Sequence, residues 1–388
     1  MRDVSVIGVG LTKFGELWDK SFRNLISEAG AKAIIDSGIS GKEIDALYVG
    51  SMSAGRFVGQ EHVGALVADA SGFAHMNIPA IRVEAADASG ALAFRQGYFS
   101  VASGMNDVVV IGGVEKMTDV VGGEATDTLA TGLDQEWEAF FGGTLASTYA
   151  MIATRHMHNF GTTKKQLAQV AEKNHSNGAK NPYAQFKRAM PLESILNAPI
   201  EAYPLGMLDC APVSDGASAL ILCATDKAKK YTKEPIKIIG TGQGSDSLAL
   251  HGRKDLCTFQ STVKAAERAY KQAGIKPRDI NVAEVHDCYT IAEILAIEDL
   301  GFVKKGEGGK AIDKKITTLD GKIPTNPSGG LKAKGHPVGA TGVAQIAEIV
   351  MQLRGKAEQR QVKDAKIGLA HNVGGAGASC IVNILEAI

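Results

Sequence analysis

A long internal repeat limits the folds open to this chain more than any other feature. Lys32-Ala33, Gly38-Ile39, Ile44 and Val49 align with Arg268-Ala269, Gly274-Ile275, Ile280 and Val285 at one constant offset. The segments that open each copy match at a slightly shorter offset, Val6-Ile7-Gly8-Val9-Gly10 against Ile238-Ile239-Gly240-Thr241-Gly242. Ser89-Gly90 pairs with Thr341-Gly342, Asp107–Gly113 with Ala365–Asn372, and Ser218–Cys223 with Ser379–Leu385. Each copy reads strand, helix, strand, strand, elbow, helix, strand, strand. Its helices carry apolar residues three and four apart, as in Leu25, Ala29 and Ala33 or Val263, Ala266 and Tyr270. Its strands are short apolar runs of the kind buried on both faces. Two such copies predict a duplicated α/β fold, layered α-β-α-β-α with two mixed sheets.

Residues 119–205 interrupt the first copy and have no counterpart in the second. The chain therefore divides into a first half (1–118), an inserted loop domain (119–205), a return to the first half (206–230) and a second half (231–388). The insertion carries helical runs over Thr144–His156 and Lys164–Ser176. Insertions of this kind wall or cover substrate sites.

Composition removes several functions. Lys plus Arg equals Asp plus Glu at 42 each, so no general basic field gathers nucleic acid or an anionic membrane. The five cysteines form no CxxC pair, which argues against a zinc or disulfide framework and predicts no metal. Reduced thiols fit a cytoplasmic protein. Residues 1–10 already read as a strand, and no apolar run nears the roughly 18 residues of a membrane span. Gly8-x-Gly10 follows a strand, but its next glycine, Gly15, is misplaced for a dinucleotide fingerprint.

Chemistry-bearing residues gather at strand ends, where α/β folds build their sites. The stretch Arg82–Gly97 passes from a strand through small residues into a helix, with Asp87 at the tip. The second cluster is His286-Asp287-Cys288-Tyr289. The third is Lys334-Gly335-His336-Pro337 followed by Val338-Gly339-Ala340-Thr341-Gly342, and the fourth His371-Asn372-Val373-Gly374-Gly375. Asp209 and Asp215 read as turn residues, and Cys210, Cys223, Cys257 and Cys380 as core thiols.

With these motifs in this order, and with Gly112-Gly113-x-Glu115-x-Met117, the chain resembles a thiolase over essentially its whole length. The likeness is to the archaeal type related to sterol-carrier-protein thiolases. It implies Claisen chemistry on acetyl-CoA, acetoacetyl-CoA or another short 3-oxoacyl-CoA, with the coenzyme A thioester as substrate and no further cofactor. His336 would then tune the nucleophile, Cys288 would exchange the proton on the α-carbon or the leaving sulfur, and His286 would hold the thioester oxygen. Amides near Val373 and Gly374, with that of residue 87, would bind a second oxyanion, with Asn372 beside them. His371 stands where many bacterial relatives carry a second cysteine, either as a catalytic group or as support for one. The resemblance also implies a homodimer or homotetramer, and a small zinc/OB-fold subunit and a hydroxymethylglutaryl-CoA synthase as partners.

The departure is Asp87, where the pattern has cysteine. A carboxylate attacking a thioester gives an easily hydrolysed mixed anhydride. Four readings stay open: a helix cap; a retuned enzyme using Cys288, His286 and His336 for retro-aldol cleavage, decarboxylation or direct CoA attack; a disabled or substituted thiolase; and a carboxylate nucleophile. A retro-aldolase on a hydroxyacyl-CoA and a non-catalytic CoA-binding scaffold are the rival functions.

Overall fold

The computed structural model describes residues 1–121 and 123–388, and within them the repeat folds into halves joined by a seam. The first half supplies β1 (Val4–Leu11), β2 (Ala46–Gly50), β3 (Ala80–Val83) and β4 (Val108–Glu115). A ribbon in the 200s, β5 (Ile200–Ala202) and β6 (Leu205–Gly206), precedes the returning strand β7 (Gly216–Ala224). The second half supplies β8 (Ile236–Ser245), β9 (Val282–Glu284), β10 (Ile367–Gly374) and β11 (Ser379–Ala387). The main sheet runs β3-β2-β4-β7-β1-β8-β11-β10-β9. Outward from its centre the halves match: β2 is parallel to β4 and β9 to β10, while β7 and β11 run antiparallel to their neighbours.

Two details differ from the sequence expectation. The two sheets are one, because β1 and β8 pair over Ser5↔Lys237 and Val6↔Ile236. Unjoined, both would be edge strands with open backbone groups. The strand expected before the second elbow shrinks to a single bridge, Ala283↔Thr325. Before it the chain makes a helical excursion of its own, including Thr290–Asp299 and Gly308–Asp313, which packs on the inserted helix Lys164–Gly178. That helix and its neighbour Leu145–Phe160 each begin at a reciprocal cap, Thr163 with Gln166 and Thr144 with Ser147.

The elbow helices, Ser89–Ala102 and Val338–Leu353, lie against each other in the core. Nearly every side of the second is buried, as its apolar sequence requires. Glycines let them approach: a Cβ on Gly90 would sit 2.7 Å from the Gly339 carbonyl oxygen. One on Gly342 would sit 2.2 Å from Asn372 Oδ1 and 2.4 Å from the Ala91 amide. This contact aligns two helix starts, one from each half, over one spot. Gly342→Ala should lower the urea-unfolding free energy by about 1–3 kcal/mol through overpacking, and should displace the Asn372 side chain.

Candidate active site

Asp87 sits one residue after Ala86, whose φ of 49° is a left-handed conformation rare for a residue with a Cβ. Ser89 locks the turn: its Oγ accepts from the Ala85 amide at 2.9 Å and donates to the Ala86 carbonyl at 2.5 Å. Asp87 is not the helix cap. The N-cap position belongs to Ala88 and carries no side-chain cap bond. The Asp87 carboxylate instead crosses to the second half, where Oδ2 accepts from the Gly375 amide at 2.8 Å and Oδ1 faces His336 Nε2 at 3.2 Å.

Tautomers follow from the partners. Thr341 Oγ1 donates to the Pro337 carbonyl at 3.0 Å, so it accepts from His336 Nδ1 at 2.7 Å. With Nδ1 protonated, the contact of Nε2 with the Asp87 carboxyl takes one proton, shared between the two groups. Burial pushes the Asp87 carboxyl up, but the hydrogen bond and charge of His336 outweigh it and hold the group below its ordinary value. The pair is net neutral.

His286 is the opposite case. Burial, then the neighbouring His336 charge, pushes its pKa well below the ordinary value, so the ring is neutral. Asn372 Nδ2 donates to its Nδ1 at 2.9 Å, which puts the proton on Nε2. That Nε2 is buried without a partner, and the ring meets the His336 ring edge-on at 5.1 Å. His371 is brought close but turned to support: its Nδ1 accepts from the His286 backbone amide at 3.4 Å and its Nε2 meets Thr262 Oγ1 at 3.0 Å. Burial lowers its pKa to about 3.

Asp87, Cys288, Tyr289 and His336 share a cavity of about 40 Å³ with apolar walls that include Leu129 and Leu145. Burial, and then the Asp87 charge, pushes the Cys288 thiol well above its ordinary pKa. Val373 and Gly374 lie in the β10–β11 pairing opposite Cys380 and Ser379, and the amide that reaches Asp87 is that of Gly375. Its φ of 56° turns the chain there. Sequence reasoning missed Gly375 as a donor although it ends the quoted motif. It also missed Tyr149 on the inserted helix, which stacks on Tyr289 at 4.6 Å and donates to the Gly375 carbonyl at 3.1 Å. A larger cavity of about 490 Å³ lies beneath the helix Phe22–Ser37, but its lining, such as Ile26, Val67 and Val110, includes no titratable group.

A buried polar network aims the second-half loops. Asp287 points away from the cavity and accepts from the amides of Leu331 and Lys332 at 2.7 and 3.2 Å and from Asn174 Nδ2 at 2.7 Å. Asn174 and Asn326 both donate to Glu293, which also pairs with Lys173 at 3.0 Å. The chain then reaches Gly335, with φ 112°, and the His336 amide donates to Ser214 Oγ at 2.9 Å. In the first half, Asp215 does more than turn: it accepts from Leu17, Met117, Thr118 and Lys116 and ties down the end of β4.

Residues 4–199 match the family model "Thiolase, N-terminal domain" and residues 242–387 match "Thiolase C-terminal domain-like". The chain belongs to the thiolase family. This thiolase-family chain is 55% identical over 386 residues to an acetyl-CoA acetyltransferase of Methanothermobacter thermautotrophicus, covering 100% of both. It is 35% identical over 398 residues to sterol carrier protein 2 of Gallus gallus, covering 97% of this chain and 70% of that protein. Among solved structures it is similar to the Ltp2-ChsH2(DUF35) aldolase, with a TM-score of 0.87 at 27% identity over 99% of this chain and 98% of the other.

Two measurements test the electrostatics. Burial is the larger cause of the raised Cys288 pKa and the Asp87 charge the next, so Asp87→Asn should speed alkylation of Cys288 by iodoacetamide at neutral pH. On acidification, His371 stays neutral in the native state down to about 3, while in the unfolded chain it protonates near 6.5. The unfolded state thus binds the extra proton, and between those values stability is lost as the pH is lowered, by up to about 1.4 kcal/mol per unit. His371→Gln should flatten that limb in urea titrations.

Proposed function

We propose that this chain is a thiolase-type acyl-CoA enzyme acting on acetyl-CoA, acetoacetyl-CoA or another short 3-oxoacyl-CoA, with its covalent acyl-transfer step disabled at Asp87. The observation that carries the reading is the convergence of Asp87, His286, Cys288 and His336 on one buried spot, with His286 Nε2–H left without an acceptor. A buried donor without a partner is costly in the resting protein and strong toward a developing oxyanion. A thioester oxygen held there would place its α-carbon toward Cys288, the group able to exchange a carbon-bound proton.

The same geometry supports the loss of the acyl carrier. A thiol at position 87 is uncharged once acylated, and Cys288 could then give up its proton without opposition. Asp87 stays anionic against His336 and keeps Cys288 protonated. The names of the archaeal relatives support acetyl transfer as the family chemistry. The name of the aldolase neighbour supports one rival, retro-aldol cleavage of a hydroxyacyl-CoA, which needs an acid and a base but no acyl carrier.

Assembly follows the same reading. The enzyme is proposed to be a cytoplasmic homodimer or homotetramer, with a small partner subunit of the DUF35 kind that the neighbour's name includes. Trp137, Phe140 and Phe141 are 66%, 80% and 73% exposed on the inserted segment and offer an apolar surface for such contacts. No helix among the described residues is long and apolar enough to cross a membrane.

Asp87→Cys should gain an acetyl-enzyme detectable by mass and acetoacetyl-CoA thiolysis at least about a thousandfold above the parent chain, the scale of a restored nucleophile. Equal turnover by the parent chain, or a hydroxylamine-trapped acyl group on Asp87, would contradict the reading. Cleavage of a 3-hydroxyacyl-CoA by the parent chain with no covalent intermediate would select the aldolase instead.

A further inference from the structure

One oxygen of Asp87 and one ring nitrogen each of His286 and His336 lie within 4.8 Å of one another, all three residues buried. The ligand atoms come from separate loops of both halves. His286 Nε2 is unpartnered although the residue is only 1% exposed. The outer nitrogen of each ring is held by a neighbour, His336 Nδ1 by Thr341 and His286 Nδ1 by Asn372. Metal-binding imidazoles donate from their outer nitrogen; His336 already does so to Thr341, and His286 would do so once the Asn372 amide turns. Bonds of about 2.0–2.2 Å to a common tetrahedral ion put neighbouring ligand atoms about 3.3–3.6 Å apart, and Asp87 Oδ1 and His336 Nε2 already stand close to that, at 3.2 Å.

We propose that Asp87, His286 and His336 form a binding site for a divalent first-row cation of the Zn²⁺, Co²⁺ or Fe²⁺ class. Two imidazoles with one carboxylate favour these ions over Mg²⁺ and Ca²⁺, which prefer oxygen. The residue that removes the acyl carrier supplies the anionic ligand. The set has no short sequence spacing, because Asp87, His286 and His336 lie on three loops far apart in the chain.

Binding balances without oxidation. The cation takes the place of the proton shared by His336 Nε2 and Asp87 Oδ1, and that proton leaves to solvent. His286 keeps its proton but moves it to Nδ1, where Asn372 Oδ1, itself buried without a partner, accepts it once the amide has turned. The remaining coordination positions open on the cavity beside Cys288, which has room for water or a substrate oxygen. A cation there would polarise such an oxygen. The site shares side chains with the acyl-CoA reading but does not rest on it.

The test is a Co²⁺ titration of tag-free, chelator-treated full-length protein without substrate, followed by visible d–d absorption and by proton release. The expected result is one Co²⁺ per chain, about one proton released per ion, and displacement by one equivalent of Zn²⁺. Asp87→Asn and His286→Gln should each weaken binding by about a hundredfold or more, since loss of a mere supporting group costs about 10–100-fold. His75→Gln, at an exposed histidine, should leave the titration unchanged. Circular dichroism identifies any variant that fails to fold, and the other ligand variant then decides. No saturable cobalt signal, or one that survives in a folded ligand variant, overturns the proposal. Either result leaves the acetyl-CoA assays of Asp87→Cys to be judged separately.

Discussion

The contact between Asp87 and His336 joins residues 249 positions apart, one from each copy of the repeat, and the rest of the site is arranged around it. Both groups are nearly excluded from water. Burying a carboxylate or an imidazolium alone costs several kcal/mol, and only close pairing with further hydrogen bonds offsets that. The Gly375 amide and Thr341 hydroxyl supply those bonds. The start of the helix Ser89–Ala102 adds favourable dipole to the negative partner. A neutral pair in a buried cavity is thus stable, and it holds a fixed negative charge beside Cys288.

That charge propagates to its neighbours with opposite effect. Beside the Asp87–His336 pair, His286 is held neutral and Cys288 is held as a thiol. The Asp87–His336 pair therefore bears on two neighbouring titrating groups. The backbone is fixed from behind, by the Asp287–Asn174–Glu293–Asn326 network on one side and by Asp215 on the other. Inserted and second-half helices share that network, which makes the inserted segment a structural wall of the site as well as its rim.

Much of this was legible from residue order. The repeat predicts the matched strand orders, and the clusters after apolar runs predict which loops meet. The sheet seam was not legible, because pairing of β1 with β8 depends on where two edges lie in space rather than on local pattern. The cap reading of Asp87 failed because propensity describes what an aspartate does locally, and this one is claimed by a group from the other half. Gly375 and Tyr149 were missed for a related reason: a backbone amide carries no residue-type signal, and a tyrosine in an apolar helix reads as core. His371 looked like a site group from its motif, yet its ring nitrogens are taken by His286 and Thr262.

The ionisation of Asp87 is the quantity on which the whole electrostatic picture turns. Carbon-13 NMR of aspartate-labelled, chelator-treated protein reads it directly from the carboxyl carbon during a pH titration. An Asp87 carboxyl that stays ionised below the ordinary aspartate range, and moves up when His336 is replaced by Gln, is the predicted result. A protonated Asp87 carboxyl at neutral pH would contradict the account.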